Sequence, residues 1–291
     1  MAEQTVEFGI LNVVAHPHGP GVYKALLERA ANREINFWGD LNGAIRAPRE
    51  VEPGIYQTEI VVGVELDLDA PLIDRSSYRE VGPDDAEVRL SGQHLYNGRV
   101  FVLTFLEHDH YLFFESKNEF GKNLSPNRAQ RFFRRLFSQE VLGSDSPYVD
   151  VTVVPEDDTL EMLLGIERLD KVEIFLQKPN PADVNDDEVQ GALADLEAQG
   201  AKSQFIRLMR APKVSSIVLN AQNYIRAKVA QFNGYVKASG KTADGEPFAG
   251  STKQYPKVIN ATLDATSAVT GIAIRVAKQA RQRSEGEPNV D

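Results

Sequence analysis

The side chains best suited to chemistry are carboxylates and imidazoles, and they fall in three clusters. Glu65, Asp67 and Asp69 recur at every second residue at the end of an apolar run that begins at Ile55. That period places them on one face of a strand, with Val64, Leu66 and Leu68 on the other. Oxygen ligands so aligned suit Mg²⁺, and Glu65 and Asp67 with Glu115 or His110 would make a metal-dependent nuclease. An outward acidic stripe is equally what a half-buried strand shows to water, and no histidine or lysine follows at a recognisable spacing. The other clusters are His16-Pro17-His18 and His108-Asp109-His110. The first has no third ligand close in sequence, the side chains of a turn tip such as the second rarely converge on one ion without help from elsewhere, and both read as turns. The preferred reading therefore has no catalytic residue, metal or cofactor. The nuclease on Glu65, Asp67 and Glu115 stands as the alternative.

Phosphate recognition has the stronger signal. From Ala201 to Arg283 there are fourteen Lys or Arg against three acids, about +11, in a chain of net charge −10. The remainder carries about −21, an asymmetry that points to a nucleic-acid or acidic-partner surface. Arg226 falls in the last turns of a helix read over Val214–Phe232, which Asn233-Gly234 ends. Tyr235–Lys241 alternates, Asp244-Gly245 turns, and a second arm runs through Phe248, Thr252 and Tyr255. This is a β-hairpin carrying Lys237, Lys241, Lys253 and Lys257. A second basic island lies earlier, where Ser125-Pro126 opens a helix reaching Phe137. Its Arg128, Arg131 and Arg135 share one face, with Lys122 in the loop before it. Guanidinium forks and backbone N–H groups there can grip phosphate, or the arginines can pair with the surplus carboxylates around them.

These residues need a scaffold, and 291 residues can bury one elaborate or two modest domains. The absence of cysteine excludes disulfides, thiolate zinc sites and a Cys nucleophile. No apolar run approaches a membrane span, and Met1-Ala2-Glu3-Gln4 lacks the features of a leader, so a cytoplasmic protein without membrane insertion is expected. Strands are expected at Val6–Val14, Ile55–Leu68, Arg99–Leu106 hairpinned to Tyr111–Glu115, Tyr148–Val154, Lys171–Gln177 and Phe205–Met209. Helices are expected at Val22–Ala31 and Asn127–Phe137, and in a short segment with a capping box at Asp158-Thr159-Leu160-Glu161, ended by Gly165. An acidic helix over Asp183–Gln199, with Val189, Leu193 and Leu196 inward, follows the stop at Pro179-Asn180-Pro181. Leu263–Arg283 closes the chain as an amphipathic helix bearing Arg275, Lys278, Arg281 and Arg283. Trp38 reads as an aromatic plug in the core or at an interface. The pattern predicts an α+β fold, with mixed or antiparallel sheets, packed helices and a C-terminal basic hairpin. It divides into an acidic region 1–147 and a region 148–291, with the sharpest shift in composition near residue 200.

Several segments occur in a familiar order: the hairpin Val100–Glu115, Gly121-Lys122-Asn123-Leu124-Ser125-Pro126 with its Arg/Phe helix, Val172–Asn180, and Asn233-Gly234-Tyr235-Val236. Together they resemble an uncharacterised bacterial family, a domain of unknown function of about this length found near mobile and defence genes. From about residue 148 the chain is similar to the sensor protein of the lambdoid-phage Rex exclusion system. There, too, a strand ending in Lys-Pro precedes a hairpin with Asp-Gly-like turns and a basic closing helix; the acidic insert Asp183–Gln199 departs from that pattern. The resemblance implies a non-enzymatic, sequence-tolerant DNA-binding protein, a homodimer acting in abortive infection or phage defence, with a partner protein from the same operon.

Charge and resemblance together predict binding of double-stranded DNA through its phosphates. Lys237, Lys241, Lys253, Lys257 and Arg226 would form the principal surface, and Lys122, Arg128, Arg131 and Arg135 a secondary one. A charge-driven oligomer, with the basic region of one copy on the acidic region of the next, is a third reading.

Overall fold

The computed structural model describes residues 4–82, 91–178, 187–263 and 269–286. The chain begins with β1 (Gln4–His16), α1 (Val22–Ala30), β2 (Ile35–Trp38), β3 (Leu41–Ile45), β4 (Arg49–Glu52) and β5 (Ile55–Val64). A small pair, β6 (Leu72–Ile73) and β7 (Glu80–Val81), precedes the hairpin β8 (Tyr96–Leu106) and β9 (Tyr111–Lys117), then α2 (Pro126–Leu136) and α3 (Gln139–Leu142). Next come β10 (Tyr148–Val153), α4 (Thr159–Leu164), β11 (Arg168–Gln177), α5 (Asp187–Ala198) and β12 (Ser203–Met209). The chain closes with α6 (Ala221–Phe232), β13 (Gly234–Lys241), β14 (Pro247–Ser251), β15 (Val258–Leu263) and α7 (Val269–Gly286). The fold is α+β, as the alternation of element types predicts.

A nine-stranded antiparallel sheet runs in the order β10-β1-β9-β8-β5-β3-β2, with β4 added to β5 and β15 added to β1. The length of β1 allows this: Leu11–His16 pairs with β10 while Gln4–Gly9 pairs with β15 on the same edge. Helix α2 packs against both β2 and β10, strands from opposite ends of the order, so the sheet curls around it. Its Phe132, Phe133, Leu136 and Phe137 fill the hollow with Leu103, Phe105, Leu112 and Phe114. The convex face is covered by α7, whose Ile272, Ala273, Val276 and Ala277 pack on Phe8, Ile10, Val102 and Phe113. Successive residues of β9 thus face opposite cores, as the pleat requires. Burial on both faces is why Phe101–Leu106 and Tyr111–Phe114 read as near-continuous apolar runs.

The second sheet has four antiparallel strands in the order β12-β11-β13-β14. Val172, Ile174, Leu176, Val236 and Ala238 form its inner face, against Leu160 and Leu163 of α4 and Ala227 and Ala230 of α6. Its other face carries Phe205 and Met209, 48% and 73% exposed. The strands approach closely at Gly234, where φ is 150° and a Cβ would lie 1.9 Å from the Phe175 carbonyl oxygen, so only glycine fits.

Several sequence expectations change. The strand predicted to Leu68 stops at Val64, and residues 65–71 form an irregular loop with a turn at 68–69. The helix predicted from Val214 starts at Ala221, where the Asn220 side chain accepts from the Asn223 N–H at 2.8 Å. Val214 and Val218 have helical spacing but are exposed, and the Ile217 N–H instead donates to the Leu169 carbonyl. Asp158 makes no side-chain cap, and Glu161 accepts from the Tyr224 hydroxyl at 3.3 Å. Trp38 is no core plug but a half-exposed ring at the sheet's end. Pro179–Pro181, Asp183–Asp186 and the side chains of Val189, Leu193, Arg281 and Arg283 lie outside the described residues.

Candidate nucleic-acid interface

Ion pairing sorts the predicted cations. Arg226 is not on the surface: its side chain is 13% exposed, and its guanidinium meets Asp195 at 3.2 Å. The cause is its position on the side of α6 that packs against α5. Lys257 donates to both carboxylate oxygens of Asp157, at 2.5 and 2.7 Å. Arg135 lies 3.8 Å from Glu140. Arg207, Arg210 and Lys278 pair with Glu173, Asp170 and Glu52. Among the described residues, five cations of the basic third are therefore matched by acids from the rest of the same chain. Charge separation along the sequence is larger than charge separation on the surface.

The other predicted cations fall on α2 with its preceding loop and on β13 with the turn after β14, and together they mark a track. Helix α2 is opened by Ser125 and Pro126, which fixes its phase. Lys122 is exposed in the preceding loop, folded on Asn118, whose Oδ1 accepts from the N–H groups of Phe120 and Lys122 at 3.1 and 2.9 Å. Arg128 and Arg131 lie over the Trp38 ring, with guanidinium carbons 5.6 and 4.3 Å from its centroid. Contact with an aromatic face leaves a guanidinium its donors while orienting it. Arg134, one turn beyond Arg131, continues the exposed side of the helix. The sequence reading passed over it by choosing Arg135, though the i, i+3, i+6 spacing from Arg128 was there to be followed.

Arg134 lies within electrostatic range of the basic residues around β13. Lys253, in the short 3₁₀ turn after β14, lies with its ammonium 4.5 Å from the Tyr235 ring centroid, and Lys237 lies 4.9 Å from the same ring. Burial pushes the Lys253 ammonium below its ordinary pKa, and the positive charges of Arg134 and Lys237 push it further the same way. Among the described residues none of Arg134, Lys237, Lys241 and Lys253 has a carboxylate within ion-pair distance. Lys241 is exposed at the far end of β13. Two stretches roughly 100 residues apart thus hold like charges within electrostatic range of one another, with Lys237 and Lys253 sharing one aromatic ring.

The alternative carboxylate site does not assemble. Glu65 follows β5 and accepts from the Asn42 amide at 2.7 Å, while Asp67 caps its own turn at the Asp69 N–H, 3.0 Å away. Glu115 sits on β9, two strands from β5, 3% exposed, and accepts from the Val102 N–H at 2.6 Å. Val102 pairs with Glu59, six residues before Glu65, so Glu115 and Glu65 are separated by roughly 20 Å along the strands. Burial raises the Glu115 carboxyl to about 7, with Glu119 and Glu59 adding and the Val102 N–H opposing. His110 is also buried, its ring 4.9 Å from Tyr23 and 5.0 Å from His18. Among the described residues no three His, Asp or Glu are grouped to hold a metal ion. None of the described helices is long and apolar enough to cross a membrane.

The chain belongs to the family defined by the domain of unknown function DUF4747, whose model matches residues 4–278. The match takes in both sheets and most of α7, so the described scaffold is that of the family domain. Comparison with curated proteins gave no match.

Proposed function

We propose that this protein binds nucleic acid without cleaving it, gripping the phosphate backbone in a sequence-tolerant way along the track from Arg128 to Lys237. The observation that supports it best is the pairing of Lys237 and Lys253 on the Tyr235 ring, with Arg134 in electrostatic range of Lys253. Like charges held together cost stability, and a polyanion converts that cost into affinity. Phosphate contact releases counterions, so affinity should fall steeply with salt. The resemblance to the Rex sensor and to defence-associated proteins supports a homodimer acting in the cytoplasm in phage defence or abortive infection. Double-stranded DNA is the first substrate to test.

The test is an anisotropy titration with duplex DNA, single-stranded DNA and RNA, with Mg²⁺ present, across a salt series. The expected result is salt-sensitive binding and an intact strand, with Arg134→Ala lowering the salt slope by about one. Binding indifferent to salt, or cleaved product, would overturn the proposal.

A further inference from the structure

Beside the track, the outer face of the small sheet is built in rows. Antiparallel register sets Phe205 opposite Phe175, and Phe175 opposite Tyr235. Side chains opposite one another in a sheet share a face, so the three rings cross β12, β11 and β13 side by side over about 10 Å. Phe175 and Tyr235 stack with centroids 5.2 Å apart and planes inclined by 28°. Phe205, on the edge strand, is the most open of the three and is flanked by Arg207, whose guanidinium carbon is 5.3 Å from its ring.

The next row is Arg207, Glu173 and Lys237. Its one acid is already neutralised: Glu173 meets Arg207 at 3.0 Å and Lys171 at 3.2 Å, and these cations hold its carboxyl below the usual range against the effect of burial. With Lys253 above Tyr235, the aromatic row is bordered by net positive charge. An open apolar sheet face serving a neutral peptide has no use for that border. Phosphates have, and bases have flat faces that match the rings. Four-stranded sheets that present aromatic side chains in this way stack two or three unpaired bases, a mode closed to duplex DNA because its bases are already stacked.

We infer that the outer face of the small sheet is a stacking platform for an unpaired nucleic-acid strand. Bases lie on Phe205 and the Phe175–Tyr235 pair, and the phosphates are carried toward Lys237, Lys253 and Arg134. The inference rests on the nucleic-acid reading above and specifies its substrate as single-stranded. Rings and phosphates do not discriminate sugars, so the stacking chemistry is common to DNA and RNA.

The experiment compares short oligo(dT), short oligo(U) and a duplex of matching length for the full chain and for Phe205→Ala. Phe205 lies on an exposed edge, which spares the fold. The expected result is preference for the single strands and a roughly ten-fold loss of their affinity in Phe205→Ala, with duplex affinity unchanged. The ratio of oligo(dT) to oligo(U) identifies the source. In Phe205→Trp the added indole should keep the affinity and be quenched by oligo(dT), against the small background of Trp38. Equal, salt-sensitive binding of single strand and duplex that ignores Phe205→Ala would overturn the platform and leave the phosphate track standing. Failure to bind any polynucleotide would overturn both. A dimer lost in Phe205→Ala would assign the face to a second copy and overturn the platform.

Discussion

Replacing Glu115 with Gln tests the assignment of that carboxyl to the core rather than to chemistry. The folded protein holds the Glu115 proton up to about pH 7, against an ordinary value of 4.5. The native state therefore binds more protons than the unfolded state between those values, and stability falls as pH rises through that window. At about 1.4 kcal/mol per pKa unit, ionised Glu115 costs about 3 kcal/mol once the window is passed, a large share of a typical domain's stability. A neutral amide resembles the protonated acid and can still accept from the Val102 N–H. It should abolish that dependence. The quantity to measure is the difference in unfolding free energy between variant and wild type by urea titration, at about pH 5 and about pH 8. Comparing two pH values cancels whatever packing cost the amide brings. The gap should shift in favour of Glu115→Gln by about 2–3 kcal/mol at the higher pH. An identical gap at both values would show that the carboxyl is not buried as described, and would restore it as a candidate ligand.

Two further predictions concern how the halves are held. Gly234→Ala must displace the Phe175 carbonyl from 1.9 Å at a φ of 150°, so it should cost about 3 kcal/mol or more in thermal or urea unfolding; a loss below about 1 kcal/mol would refute the close approach. Asp150 accepts from Tyr148 and Gln177 at 3.0 and 2.6 Å, tying β10 of the large sheet to β11 of the small one. Removing its negative charge in Asp150→Ala would tighten nucleic-acid binding if charge alone mattered. Weaker binding, by a few-fold in anisotropy, is expected because the sheets lose registration at the track.

The elements that sequence patterns reveal here are those fixed by local physics. The β8–β9 hairpin, the Pro126-led helix and the β13–β14 hairpin all carry their turn or cap within a few residues, and all are present. The errors arise where a distant surface supplies the reason. Val214–Asn220 has helical spacing but lies along β11. β15 exists because β1 has an edge to spare, which no pattern within Val258–Leu263 discloses. The candidate site divides in the same way. Lys237 was legible as a hairpin cation, Lys253 falls just past the hairpin in the 3₁₀ turn, and Arg226 and Lys257 could not be seen to be neutralised, since Asp195 and Asp157 lie 31 and 100 residues away.

The location of the track follows from the way the large sheet closes. Because α2 spans the hollow from β2 to β10, its two ends emerge at different places: Arg128 at Trp38, and Arg134 near the small sheet. The small sheet is anchored there by Gln177 on Asp150 and by the Asn12 amide donating to Asn233 Oδ1 at 3.0 Å. Those anchors lie at the end of β11 and the start of β13 that carries Phe175 and Tyr235. The geometry that brings Arg134 to Lys253 thus also brings the aromatic row to the end of the basic ridge. Cations alone would make a surface for any polyanion. Cations ending at a row of rings favour one whose bases are free to lie flat.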